Sequence, residues 1–503
     1  MSTAAVPAPG EEWRKLDRRT LLVTAAVMTG VATGAGVPTA VGLSGGMGAG
    51  RALAWVLPAA LLLIVCGTGG DYVRWRRTRY RIGPDRAELH TGLFLVKRRS
   101  LGRERIRSVD LTANPLLRIL GLVKVRIGTG EHTGGESTLE LDPVTRAEGE
   151  RLRTELLDRT PSGKGTHRDG MLAVLDPRWI RYAPLSFVAP VLGGAAAGGV
   201  MQVSEWFGVQ HEVLDWIGDR FRDTSVLTMV VVLVVAALLA GIVGSLGLWV
   251  EMWWNYRLER EPGGTLRVRR GLFTARSVSI EERRLRGVEL VEPLGVRLVG
   301  AARVDAVATG LAQDDDDKHT DLRTLLPAAP RAAADEVAAQ VLRETSSPTG
   351  TPGLTPHPLA ARGRRLRRAV GSALTPVLVL LVLGPVVSDV LFSVAAVCAA
   401  VLLPVAVLLA LDAYRNLGHG LSGDYLVARS GTVRRSTVAL QRGGVIGWTV
   451  KQSYFQRRAG LLTLTATTAA GEGAYDVHDA AEGEGLAFAA QAVPGLLEPF
   501  LEK

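Results

Sequence analysis

The sequence predicts a membrane protein built of α-helical hairpins joined to α+β or all-β soluble domains. It implies six transmembrane helices and three small barrels, each capped by a C-terminal helix. Three observations predict this. Apolar residues gather in six blocks of membrane-spanning length. One set of residue spacings recurs three times. After each pair of blocks the hydrophobic period shortens to that of strands and then lengthens to that of a helix.

The apolar blocks come first. The chain of 503 residues is 47% hydrophobic but only 5% aromatic, with mean hydropathy +0.19, so Ala, Val and Leu supply the apolar content. The blocks are Thr20–Leu43, Ala52–Gly69, Ala183–Val203, Val226–Val250, Ala369–Val387 and Val390–Leu411. A bilayer span needs about 20 apolar residues. Gly30, Gly34, Gly36 and Pro38 interrupt the first block, which membrane helices tolerate better than soluble ones. Arg14, Lys15, Arg18 and Arg19 precede it in the manner of a secretory signal. It is too long for a signal core and a second span follows at once, so it reads as an uncleaved helix.

Charge sets the expected orientation. The net charge is +10 and the pI is about 9.9. Arg74, Arg76, Arg77, Arg79 and Arg81 follow the second block, and Arg362, Arg364, Arg365, Arg367 and Arg368 precede the fifth. The loop between the third and fourth blocks is acidic, with Glu205, Glu212, Asp215, Asp219 and Asp223. The positive-inside rule then places both termini and all soluble segments in the cytoplasm of a bacterial plasma membrane. Topogenic charge and anionic headgroups account for the basicity, so nucleic acid is not an expected partner. Cys66 and Cys398 both lie in predicted spans, which leaves no disulfide framework or zinc pattern.

The repeat is anchored at Gly92, Gly271 and Gly431. Fourteen residues on come Ile106, Leu285 and Val445; twenty-six on, Arg118, Arg297 and Arg457; twenty-nine on, Gly121, Gly300 and Gly460. Such a period means one structural unit used repeatedly. In copy one, strands are expected at Tyr80–Ile82, Ala87–His90, Leu93–Val96, Ser108–Leu111, Val123–Ile127 and Thr138–Leu141, with a helix starting at Asp142-Pro143. Copy two repeats the order at Thr265–Arg269, Ala275–Ile280, Val288–Val291 and Ala302–Ala306, with a helix after Pro330. Copy three places strands at Tyr425–Arg429, Val433–Leu440, Trp448–Val450 and Leu461–Thr467, and a helix at Gly485–Leu497. The expected division is a tail at 1–19, hairpins at 20–70, 183–250 and 369–411, and soluble domains at 71–160, 251–345 and 412–503. Linkers fill 161–182 and 346–368, and the stretch Ser346–Pro358 reads as extended and mobile.

These motifs carry a resemblance. Copy one reads Arg105-Ile106-Arg107-Ser108-Val109, then Pro115-Leu116-Leu117-Arg118-Ile119-Leu120-Gly121, then Val123-Lys124-Val125-Arg126-Ile127-Gly128. Copy two reads Arg284-Leu285-Arg286-Gly287-Val288 and Pro293 to Gly300. Copy three diverges most, with Gly443-Gly444-Val445-Ile446-Gly447 and no proline before Arg457. The pattern resembles the bacterial pleckstrin-homology-like, or membrane-flanked, domain, and six spans with three such domains are similar to its three-domain members. The resemblance implies pleckstrin-homology-like barrels. It implies no phosphoinositide site, because function is argued from sites.

Candidate residues follow. Arg118, Arg297 and Arg457 either tie a loop carbonyl or carboxylate, or contact an anion. Arg74, Arg76, Arg77 and Arg79, with Arg364, Arg365, Arg367 and Arg368, are placed to meet anionic lipid. Asp71, Glu251 and Asp412 close the hairpins beside Trp and Tyr, and are expected to pair with nearby arginines. His211-Glu212-Val213-Leu214-Asp215 lacks the second histidine of a zinc protease box and reads as an amphipathic surface helix. Asp314–Asp317 with Lys318 reads as a solvated loop, and Gly45 to Gly50 as a flexible turn. No serine, cysteine or histidine constellation suggests catalysis, and no cofactor or metal is expected. The expectation is a non-enzymatic membrane protein whose domains bind anionic lipids or an unnamed protein, with homo-oligomerisation open. The alternative is a transporter, or a component associated with export or toxin resistance, suggested by Pro376, Pro385 and Pro404 in the spans.

Overall fold

The computed structural model describes residues 13–92, 97–106, 108–128, 138–157, 170–309, 323–350 and 353–497. The tail at 1–12, the strand Leu93–Val96, Arg107, the linker Pro161–Asp169 and the run Asp314–Lys318 lie outside the described residues.

Among the described residues, five helices are long and apolar enough to cross a membrane: Thr20–Met47, Ala49–Arg77, Val226–Trp253, Leu359–Val387 and Val390–Arg415. The expected third span is bent. A 3-10 segment, Pro177–Leu185, meets the helix Val188–Trp206 at 67°, and the pair makes a sixth span only if counted as one. Pro184 lies inside the 3-10 segment, and Pro190 falls in the first turn of the straight helix, where a missing N–H is tolerated. The helices outrun the apolar blocks. Arg74, Arg76 and Arg77 form the last turn of one, and Arg362 to Arg368 sit inside another. The turn expected at Gly45 to Gly50 shrinks to Gly48 alone, whose φ of +83° suits glycine. Helix pairs close through small residues: a Cβ on Gly193 would strike the Ala237 carbonyl, and one on Gly241 the Ala189 carbonyl. His211 to Asp215 lie in a helix, Gln210–Arg220.

The chain divides into two compact units, Met1–Glu281 and Glu282–Lys503. The boundary falls inside the segment 251–345, and strand pairing explains why. In the first unit, the strands Arg79–Ile82, Arg86–Thr91 and Lys97–Gly102 form one antiparallel sheet, edged by Arg14–Lys15. A second sheet runs Thr138–Thr145, Leu122–Gly128 and Ser108–Ala113, and continues into copy two through Ala275–Glu281, Thr265–Arg270, Arg257–Glu261 and Gly170–Val174. In the second unit, Thr324–Pro330, Ala301–Ala308 and Leu285–Pro293 of copy two continue into Arg434–Gln441, Tyr425–Ser430 and Gly418–Ser422 of copy three. A three-stranded sheet, Val445–Lys451, Leu461–Thr468 and Ala474–Ala481, follows. We call the strand pair Ser108–Ala113 with Ala275–Glu281 seam one, and Leu285–Pro293 with Arg434–Gln441 seam two.

Each soluble core follows from strand alternation. In copy one, Tyr80 and Leu89 of one sheet, Val109, Val125, Ile127 and Leu141 of the other, and Leu152 and Leu156 of the helix Arg146–Leu157 bury into a single cluster. Copy three repeats this with Leu426, Leu440, Val445, Leu464, Val477 and the helix residues Phe488 and Ala489. The fourth residue of each terminal helix is small: Gly149, Ala334 and Gly485. A Cβ on Gly149 would crowd Val123, and one on Gly485 would crowd Leu462.

Several boundaries differ from expectation. Copy one's helix begins at Arg146, because Val144 pairs with Val123 and is buried, leaving Pro143 beside a bulge on an edge strand. Copy three's helix runs Glu482–Ala492, ending before Pro494. Of the stretch Ser346–Pro358, the described residues 346–350 and 353–358 are docked, not free. Thr349 and His357 are buried, and Thr355 pairs with His419.

Candidate functional site

Two of the acids at the hairpin exits, Glu251 and Asp412, fasten helices to soluble structure, and the third, Asp71, ties one helix to the next. Asp71 accepts a hydrogen bond from Thr24 Oγ1 at 2.6 Å and pairs with Arg74 Nε at 2.9 Å. Glu251 accepts the backbone N–H groups of Phe273 and Thr274, each at 2.9 Å. Those amides lie in the turn opened by Gly271, where φ is +113° and a Cβ would strike the Thr274 carbonyl. Asp412 accepts from Thr432 Oγ1 at 2.7 Å, Arg297 Nη2 at 2.8 Å and Asn416 Nδ2 at 2.9 Å. Asp71 and Asp412 thus pair with arginine, whereas Glu251 grips backbone.

The three repeat arginines occupy the same position in five-residue helices, Pro115–Ile119, Leu294–Leu298 and Tyr454–Arg458. Asn114 caps the first and Ser453 the third, and Gly121, Gly300 and Gly460 end them with φ of +71°, +68° and +61°. Arg118 donates to the Leu272 carbonyl of copy two, and Arg297 to Asp412 at the start of copy three. Each reaches the copy that follows its own. Arg457 is exposed, and its side chain has no partner among the described residues.

The basic clusters divide. Arg76 and Arg79 are exposed, Arg77 ends its helix, and Arg367 and Arg368 face outward. Arg364 and Arg365 instead reach the buried Asp479, which also accepts from Gln456 Nε2 at 3.0 Å. Beside it, His419 Nδ1 lies 3.0 Å from His357 Nε2. Burial, with His357 next to it, brings the His419 ring down to about 4.

The seams hold charges the sequence did not flag. Seam two centres on Glu292, whose carboxylate takes Arg435 Nη2 at 2.7 Å and Arg331 Nη1 at 2.9 Å. Burial opposes ionisation, but these two guanidinium groups hold Glu292 below the usual carboxylate range. Glu289 beside it is raised by burial and the charge of Asp305, with Ser436 opposing at 2.7 Å. In seam one, Asp110 sits at the matching register. Burial raises it to about 7, against the Arg126 charge and the Ser279 amide. Arg267, 3% exposed, bonds Glu150 at 2.6 Å and Glu261 at 3.1 Å. Next to these lies a cleft of about 430 Å³ whose wall carries seven arginines and one acid, Glu150.

Polar residues at inward positions of apolar strands were the missed signal. Asp110 and Glu289 both lie eighteen residues past their glycine anchors, and Arg146 and Arg331 both open a terminal helix.

Comparison with known proteins agrees with this architecture. Residues 37–160 and 378–490 match the family model described as Bacterial PH domain. The second match takes in copy three, the most divergent by its motifs. The chain is 23% identical to the UPF0699 transmembrane protein YdbT of Bacillus subtilis (strain 168) over 423 residues, covering 81% of this chain and 82% of that protein. No solved structure matches. The fold, the repeat and these matches define a multi-pass membrane protein with PH-like domains. These matches support a bacterial PH-domain membrane family.

Proposed function

We propose that the protein is a non-enzymatic platform. Six spans in three hairpins would hold three pleckstrin-homology-like barrels at the cytoplasmic face, where they bind anionic headgroups or a partner protein. The observation that carries this reading is the continuity of the sheets. Copy one joins copy two through seam one, and copy two joins copy three through seam two, so hydrogen bonds of the β ladder link successive copies. Glu251 and Asp412 fasten helix ends to the first turn of copies two and three. Within each of the two units, such linkage suits presentation of a fixed surface better than the opposed rocking of a transporter. The outward arginines Arg76, Arg79, Arg367 and Arg368 lie close to helix ends, where each basic residue near an anionic surface contributes about 1 kcal/mol.

Crosslinking with mass spectrometry in native membranes tests the proposal. The expected result is lipid or protein adducts concentrated on the three barrels and the outward arginines. Adducts confined to the spans, together with solute flux in proteoliposomes, would favour a transporter instead.

A further inference from the structure

We propose that the cleft at seam one binds a phosphate-bearing anion, either an anionic lipid headgroup or a soluble phosphate compound. The argument starts from strand register. In seam two, Glu292 pairs with Arg435; in seam one, the same register position holds Ala113 paired with Ala275. Neighbouring pairs match too, since Leu111–Ser277 in seam one stands where Leu290–Thr437 stands in seam two. The two seams therefore share one register, and differ at the rung Ala113–Ala275, which answers to Glu292–Arg435, and at the rung Thr112–Arg276, which answers to Val291–Ser436. Where seam two places a carboxylate and a guanidinium, seam one places two methyl groups, and both alanines line the cleft.

Of the basic residues around the Ala113–Ala275 rung, Arg118, Arg146 and Arg269 stand where Arg297, Arg331 and Arg429 stand in seam two, whereas Arg267, Arg270 and Arg276 stand where seam two has Val427, Ser430 and Ser436. Arg146 opens copy one's terminal helix as Arg331 opens copy two's, and their backbone N–H groups donate to the equivalent glycine carbonyls, Gly121 at 3.1 Å and Gly300 at 2.9 Å. Arg331 lies on Glu292. The Arg146 side chain has no hydrogen-bond or ion-pair partner among the described residues, and neither do those of Arg257 and Arg269 on the same wall. Burial, with the adjacent Arg267, lowers the Arg269 guanidinium. Among the described residues of the wall the one acid is Glu150, which is already taken by Arg267 and Arg153. Guanidinium groups converging on a space sized for a small anion match the geometry of phosphate oxygens. An external phosphate would supply the negative charge that Glu292 supplies internally in seam two. The lipid source rests on the cytoplasmic reading above, whereas the soluble source does not, so the two can fail separately.

The test titrates inorganic phosphate into the full chain in detergent, and measures lipid retention by native mass spectrometry from nanodiscs of phosphatidylcholine with and without phosphatidylglycerol. Three forms are compared: unaltered, Ala113→Glu and Arg146→Gln. Ala113→Glu restores the seam-two carboxylate and is expected to weaken anion binding about tenfold or more, equivalent to 1.4 kcal/mol. Arg146→Gln, at an exposed position, should also weaken it, and carries the test should Ala113→Glu fail to fold. Phosphate binding without selective phosphatidylglycerol retention identifies the soluble source; selective retention that both variants lose identifies the headgroup. Equal binding in all three forms, or binding of neither probe, overturns the proposal.

Discussion

Seam one and seam two use the same strands in the same register, yet they manage charge differently. In seam two Glu292 sits between Arg331 and Arg435, closing a network in which every charge has a protein partner. In seam one the acid is absent from that rung, and the arginines around it border an open cleft. Buried charges require partners or solvent. A repeat whose copies differ in this way has specialised: one joint is closed by its own residues, and the other is left for an outside anion to complete.

The comparison breaks most readily at Glu292. Replacing it with Ala leaves two guanidinium groups facing one another across a packed seam. Removing one partner of a buried pair costs about 3–5 kcal/mol, and the low end applies because both arginines keep some solvent contact. Thermal unfolding in detergent should show the loss, with hydrogen exchange rising in Leu285–Pro293 and Arg434–Gln441. Ala at position 292 without such a loss would mean that seam two does not depend on its carboxylate.

Acid sharpens the comparison, because the two units should respond in opposite senses. The Asp110 carboxyl stands at about 7 when folded, above an ordinary value of about 3.9. Its stabilising share is complete below that ordinary value and is lost as pH climbs to about 7. His419 stands at about 4, below an ordinary value of about 6.5. Its share is complete above about 6.5 and is lost as pH falls towards about 4. Between those limits, acidification should protect seam-one amides and loosen the sheet around His419, by roughly 1–3 kcal/mol each. Hydrogen exchange across the two sheets measures both slopes. Asp110→Asn should flatten the first and His419→Gln the second. Parallel slopes in the two sheets would contradict the assignment.

The smallest expected difference lies among the repeat arginines. Arg297→Ala loses the Asp412 pair and should cost about 1 kcal/mol, given partial exposure. Arg457→Ala loses no described contact and should fall within about 0.5 kcal/mol, as surface changes do. Equal costs would show that the arginine acts within its own copy and not on the next.

Much of this was legible in the sequence. Five of the six expected spans were, because bilayer thickness sets a length that few soluble segments reach. Gly121, Gly300 and Gly460 were legible as a repeat, and the structure supplies the reason in their positive φ. Strands were found where apolar and polar residues alternate, as in Leu122–Gly128. The seams were not legible. Ser277 and Leu111 pair across a separation of more than 160 residues, and alternation within a strand says nothing about its partner. The docking of Thr355 and His357 was hidden for a related reason, since a Pro-, Thr- and Gly-rich stretch reads as a linker unless its burial is seen. Arg364 and Arg365 looked like surface charge until Asp479, over a hundred residues away, appeared beneath them.

The whole account depends on which side of the membrane the three copies occupy. With Cys66 and Cys398 replaced by Ser, single cysteines at Asp85, Gly263 and Gly423 report on the copies, and one at Gly218 reports on the acidic loop. In intact cells a membrane-impermeant maleimide should label only the Gly218 position, with the other three reacting after permeabilisation. Labelling of Asp85→Cys, Gly263→Cys or Gly423→Cys in intact cells would contradict the account.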